Sequence, residues 1–309
     1  MTPNIAPSNI CEFLHKDNLV IFLFHGVIKK QIHSVRNYTM KHIEGELFDE
    51  YMGKLAHQGS PISMNMVLDH LDKKKPFSPG SFAITFDDGF ENNISVAAPI
   101  LEKYNIPAMI YLTTDFIQNN RMSWIDRIEY AVQKTKKSKI TLQVNDNTYP
   151  LNHVDEKINF LRVVRELVKK TPTCNPNLFA HQVCSDLGFP SNISSDDPLD
   201  LKLSWDQIQK IHKDNGLLSF GGHSHTHPIL SFLSSDDLSY ELDRSISLMK
   251  HMADIDSTHY SYPEGLAHCY SDEVIRELKQ RGVRCCPTAI QGNNSLDMDP
   301  FKLFRIMVA

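Results

Sequence analysis

Four short apolar runs in this chain each break off at a polar cluster, and that recurrence limits the fold more than any other feature. Leu19–Phe24 ends in His25, and Ser81–Phe86 ends in Asp87 and Asp88. Leu217–Phe220 leads into Gly221, Gly222, His223, Ser224, His225, Thr226 and His227, and His259–Tyr262 into Pro263, Glu264 and Gly265. Continuous apolar runs this short suit strands covered on both faces, as in a parallel sheet. Helical patterns lie between them, over Phe48–Gln58, Met64–Leu71, Asn93–Tyr104, Trp205–Asp214, Asp236–Ala253 and Asp272–Arg281. Pro107–Leu112 and Val283–Cys286 read as further strands, and Phe301–Ile306 as a final short element. Strand, helix, strand with short links is the signature of a parallel α/β sheet or barrel. Polar residues gathered at the C-terminal ends of parallel strands are what a barrel active site requires.

The texture changes between about residues 119 and 203. Trp124–Gln133 and Asn159–Lys170 read as helices, Ile140–Pro150 as a small hairpin, and Thr171–Asp200 is rich in Pro, Asn, Ser and Asp. This stretch reads as a mostly helical insertion into one domain spanning residues 1–309. The formal net charge is −5 with no basic block, which disfavours nucleic acid as a partner. The six cysteines form no Cys-x-x-Cys pair, and Cys285 and Cys286 are adjacent, so all are expected as reduced thiols. Met1–Lys16 lacks the basic and long apolar parts of a secretion signal, and every apolar run is too short to span a membrane. The expected location is the cytoplasm, where a sugar-modifying enzyme would act on a precursor.

Asp87 and Asp88 end a strand side by side. Neighbouring side chains of an extended segment point to opposite sides, so the two carboxylates can divide their work, one on a metal and one on a proton. His223 and His227 stand four residues apart, and one turn brings both imidazoles to one side. With Asp88 they make a two-imidazole, one-carboxylate set, which leaves a position open as in a catalytic zinc site. Alone, the three near-adjacent histidines read equally well as surface-loop residues.

Thr85-Phe86-Asp87-Asp88-Gly89 together with His223-Ser224-x-x-His227 resembles the polysaccharide deacetylase family, carbohydrate esterase family 4 with its NodB-homology domain. The resemblance covers about Leu19–Phe116 and Leu203–Arg305. It implies a distorted (β/α) TIM-like barrel, one divalent metal ion, Zn2+ foremost, and hydrolysis of the N-acetyl group of an N-acetylated sugar. Carried over, Asp87 is the general base and Asp88, His223 and His227 are the metal ligands. Tyr260–Gly265 stands where the family carries Arg-x-Pro-Tyr, with Ser261 at the arginine position and Glu264 at that of the later tyrosine. The Glu264 backbone N–H is then the oxyanion donor. Arg305 is a candidate to orient the base in place of the missing arginine, against the alternative of a surface arginine.

The family's Leu-x-His motif normally lies near the C-terminus, yet no histidine follows His268. Leu23-Phe24-His25 reads Leu-x-His after the first strand, similar to the circularly permuted order of poly-N-acetylglucosamine deacetylases. His25 is therefore the candidate general acid, against the alternative of a buried structural histidine. Trp124, Asp126 and Arg127 resemble a signature of exopolysaccharide-cluster members; they line the cleft or anchor the insertion. Two rival readings keep the fold: hydrolysis of a non-sugar amide, and a non-catalytic carbohydrate-binding relative.

Overall fold

The structure is a computed structural model of the 309-residue chain and describes residues 10–171, 174–214 and 216–308. The opening segment read above as Met1–Lys16 lies outside the described residues as far as residue 9. The chain divides into two compact units. The first takes the described parts of Met1–Lys30, Lys41–Asn120 and Lys202–Ala309, and the second those of Gln31–Met40 and Arg121–Leu201.

In the first unit the strands are β1 (Val20–Phe24), β2 (Gly26–Ile28), β3 (His42–Glu44), β4 (Ser60–Pro61), β5 (Ser81–Phe86), β6 (Ala108–Leu112), and, after the second unit, β9 (Leu218–Gly222) and β10 (Ile306–Met307). Its helices are α1 (Gly45–Gln58), α2 (Met64–Lys73), α3 (Ala98–Lys103), α4 (Thr114–Asn119), α8 (Trp205–Asp214), α9 (Ser235–Ala253) and α10 (Asp272–Gln280). Six strands form one sheet in the order β10-β1-β5-β6-β9, with β4 also on β5, and every pairing is parallel. The chain is therefore α/β.

Every residue of β1, β5 and β6 is buried, which explains the continuous apolar runs. Phe22, Phe24, Phe82 and Phe86 on one face join Phe48 of α1 in the main core, while Ile21, Ala83, Met109 and Tyr111 on the other join Val67 and Leu71 of α2. Burying one such aromatic side chain contributes roughly 1.5–3 kcal/mol. The pairing of Phe24 with Phe86 levels the two strand ends, so the residues that follow, His25 and Asp87, leave the sheet side by side. The Asp87 N–H donates to the Phe24 carbonyl at 3.0 Å, which holds that register into the loop.

Several expected elements differ in the structure. His259–Tyr262 and Val283–Cys286 are not strands; each contributes single parallel bridges, Gly222 with Tyr260 and His259 with Cys285. The helix expected from Asn93 opens as a wide π turn over Asn93–Ala97 before α3. Asn92 and Asn93, just before and at its start, brace the β1–β2 corner: Asn92 Oδ1 accepts from the Val27 N–H, and Asn93 Nδ2 donates to the His25 carbonyl. Ser204 caps α8, its Oγ accepting from the Gln207 N–H, and Gln207 Oε1 accepts from the Ser204 N–H in return.

The second unit contains α5 (Trp124–Lys134), the antiparallel hairpin β7 (Lys139–Leu142) and β8 (Asn147–Pro150), α6 (Val154–Lys170) and α7 (Pro176–Asp186). The Pro- and Asn-rich stretch thus holds a helix, with Asn175 accepting from the N–H groups of Asn177 and Leu178 and Pro176 in its first turn. Trp124, Ile128, Phe160, Val164 and Val183 share its core. Arg127 is tied to Asn177 Oδ1 and the Ser191 carbonyl, and Arg36 makes a buried two-pronged pair with Asp200. All six cysteines are free thiols. No helix among the described residues is long and apolar enough to cross a membrane.

Gly26 follows His25 at a tight crossing, where an added Cβ would stand 2.0 Å from His42 Nδ1 and 2.7 Å from Asn92 Oδ1. Gly26→Ala should therefore cost about 1–3 kcal/mol of stability, read as a lower denaturant midpoint with an unchanged slope.

Candidate active site

The two aspartates begin at the same strand end but diverge at the backbone. Asp87 continues out of β5, whereas Asp88 has φ +76° and Gly89 φ +73°, so the chain turns sharply at the second carboxylate. Aspartate tolerates this left-handed region better than most residues. Strand alternation alone does not separate the two side chains; the turn at Asp88 does.

Asp87 is buried and meets Arg305, which is wholly inaccessible. Arg305 Nη1 and Nη2 donate to Asp87 Oδ1 and Oδ2 at 2.8 Å each. Its other N–H groups reach the Thr288 carbonyl at 2.6 Å, Thr85 Oγ1 at 3.3 Å and Ser261 Oγ at 2.8 Å. All five donors are thus engaged, as a buried guanidinium requires. Burial opposes ionisation of Asp87, but Arg305, aided by His223, outweighs it and holds the carboxyl below its usual range.

Asp88, His223 and His227 come together, with one ligand atom of each inside a 4.8 Å span. Asp88 Oδ1 lies 3.4 Å from His227 Nε2 and 3.7 Å from His223 Nε2. Zinc ligands at ~2.0–2.1 Å in a tetrahedron stand about 3.4 Å apart. The Asp88 Oδ1 atom is buried and has no hydrogen-bond partner among the described residues, a costly state unless a cation meets it. His223 Nδ1 lies 2.9 Å from the Ser261 carbonyl, which accepts only, so Nδ1 carries the proton and Nε2 presents its lone pair toward Asp88. A hard–borderline donor set of one carboxylate and two imidazoles, with an orphaned oxygen at its centre, fits a divalent metal such as Zn2+.

Surrounding contacts fix these groups. His227, at φ +64°, donates its N–H to Ser224 Oγ and stacks on Phe116 at 6.0 Å. Glu241 of α9 accepts from the N–H groups of His225 and Thr226 and from Thr226 Oγ1, so it clamps the loop between His223 and His227. His225 turns elsewhere, to Thr114 Oγ1 and the Tyr240 ring. Lys41 Nζ sits 2.9 Å from Asp88 Oδ2. Burial opposes the Asp88 charge, and Lys41 first, then the histidines, hold its carboxyl well below the usual range.

His25 lies next to Asp87 by strand register, and its Nδ1 is buried without a hydrogen-bond partner among the described residues. Burial pushes its imidazole down to about 4, against the pull of Asp88 and Asp87. Glu264 takes φ +60° in the turn after Pro263, on the segment whose Ser261 carbonyl holds His223. Sequence reasoning missed Lys41, which follows no motif, and Glu241. The signal for Glu241 was a carboxylate among Leu238, Leu242 and Ser245 on the inner face of α9.

A family profile described as polysaccharide deacetylase matches residues 74–286. No curated protein matches the chain. Among solved structures it is similar to the Streptococcus pyogenes deacetylase PplD in complex with acetate, at 16% identity and TM-score 0.59 over 94% of this chain and 92% of that one. It is also similar to IcaB from Ammonifex degensii, at 15% identity and TM-score 0.57 over 96% and 94% of the two chains. The deacetylase domain of BpsB from Bordetella bronchiseptica matches at 16% identity and TM-score 0.55 over 96% and 97%. The chain belongs to the polysaccharide deacetylase family.

Removing Arg305 strands a buried carboxylate. Arg305→Met should destabilise the protein by about 3–5 kcal/mol in equilibrium unfolding, because one partner of a buried pair is left uncompensated. Arg305→Lys, which keeps the charge but not the fork, should cost less.

Proposed function

We propose that this polysaccharide deacetylase family member hydrolyses the N-acetyl amide of an N-acetylated sugar, using one divalent metal ion, Zn2+ foremost, held by Asp88, His223 and His227. The observation that carries the reading is the division of the two aspartates. Asp88 Oδ1 faces both imidazoles, while Asp87 gives both oxygens to Arg305 and keeps Oδ2 3.9 Å from His223 Nε2, at the edge of the same site. A bound metal supplies Lewis acidity, polarising the acetyl carbonyl and acidifying water.

Asp87 is the general base. Its carboxyl is held ionised, so it can accept a proton from the attacking water, and Arg305 keeps it oriented while it does. Water oxygen bonds to the acetyl carbon, the carbon–nitrogen bond breaks, and acetate and a free amine leave. The backbone N–H of Glu264 is assigned to the oxyanion, since a backbone donor does not depend on its side chain. His25 gives the departing nitrogen its proton. Burial keeps the imidazole neutral at rest, so the proton it passes on is the one Asp87 took from the attacking water, handed to His25 beside it as negative charge building up during attack raises its affinity. His25 stands at the end of β1, beside Asp87 and next to the edge strand β10, which supports reading Leu23-Phe24-His25 as the displaced Leu-x-His motif.

Asp88→Ala and His223→Ala should bind less than a tenth of the parent's zinc, whereas Asp87→Asn should bind it fully and lose activity by about a hundredfold to ten-thousandfold. The assay is acetate release from N-acetylhexosamine oligomers, with metal content by elemental analysis. Parent protein that releases no acetate from any N-acetylated sugar, oligomeric, lipid-linked or nucleotide-linked, contradicts the substrate class.

A further inference from the structure

The second oxygen of Asp88 is as constrained as the first. Lys41 Nζ lies 2.9 Å from Oδ2, on a side chain only 16% exposed. The same ammonium stands 4.8 Å from the centre of the Phe90 ring. That ring is itself gripped, with Lys202 Nζ 3.3 Å from its centre and His42 edge-on at 4.4 Å. The Lys41 backbone is anchored too, its carbonyl accepting from the Gly26 N–H at the start of the β2–β3 pair. Phe90 and Asp88 therefore fix the lysine head from two sides, and β3 fixes its stem.

We infer that Lys41 is a positioning residue for the metal centre, holding Oδ2 of Asp88 so that Oδ1 alone is offered to the ion. The inference rests on the metal reading above. A carboxylate can bind a metal through one oxygen or through both. With Oδ2 engaged by an ammonium, Asp88 is restricted to one, and coordination positions stay open for water and substrate.

A second consequence follows from charge. A fixed cation on the far oxygen draws electron density from Asp88 and repels a dication, so metal affinity falls while the polarising power of the ion rises. Lys41 thus trades tightness of binding for reactivity. A lysine that served only to stabilise the loop would act in the opposite direction, because its loss would loosen the ligand and weaken the site.

The test uses metal-stripped full-length protein, the neutral variants Lys41→Met and Lys41→Gln, and the charge-keeping Lys41→Arg. Zn2+ is titrated against a chelator, and the visible absorption of the Co2+ form reports coordination number. Both neutral variants should bind Zn2+ about tenfold more tightly than the parent, the effect of removing one like charge beside a dication. Their Co2+ bands should also weaken as Asp88 closes on the ion with both oxygens. Lys41→Arg should match the parent in both readings. Zn2+ affinity that is unchanged or weaker in both neutral variants overturns the inference and leaves the metal reading standing. A parent that binds no Zn2+ overturns both.

Discussion

Two adjacent carboxylates must both stay ionised inside a buried site, and the rest of the centre follows from how that is done. Burial works against each charge, and each works against the other. The structure gives each its own cation: Arg305 takes both oxygens of Asp87, and Lys41 takes one oxygen of Asp88. The remaining oxygen, Asp88 Oδ1, faces two imidazoles and nothing else that can bond it among the described residues. Removing either cation would leave an uncompensated buried charge.

The sheet supplies the precision that this requires. β1, β5 and β9 run parallel, and their ends carry His25, the aspartates and the histidine loop. Arg305 arrives just before β10, the strand on the far side of β1. Because all these segments leave or enter parallel strands of one sheet, their relative positions are fixed by backbone register rather than by loop conformation. The tight crossing at Gly26 and the clamp from Glu241 extend that rigidity into the loops.

The α/β class was readable because burial on two faces leaves a direct mark, the short unbroken apolar run. Asp87, Asp88, His223 and His227 were readable because they stand in compact local motifs. What escaped was non-local. Lys41 and Asp88 are distant in sequence, and the contact depends on β2–β3 pairing that three-residue strands do not announce. The expected strands at His259–Tyr262 and Val283–Cys286 reduce to single bridges, because an apolar, β-branched or aromatic run records burial and not pairing. Asn92 and Asn93 have the type of helix caps, but their side chains bond backbone groups of the β1–β2 corner, far away in sequence.

The central claim is that neighbouring aspartates do different work, one on the metal and one on the proton. A crystal structure of the Zn2+-loaded protein with anomalous data at the zinc edge tests it most directly. The account predicts one anomalous peak bonded to Asp88 Oδ1, His223 Nε2 and His227 Nε2, with Asp87 still forked on Arg305. A peak bonded to Asp87, or an ion that pulls Asp87 off Arg305, would contradict it.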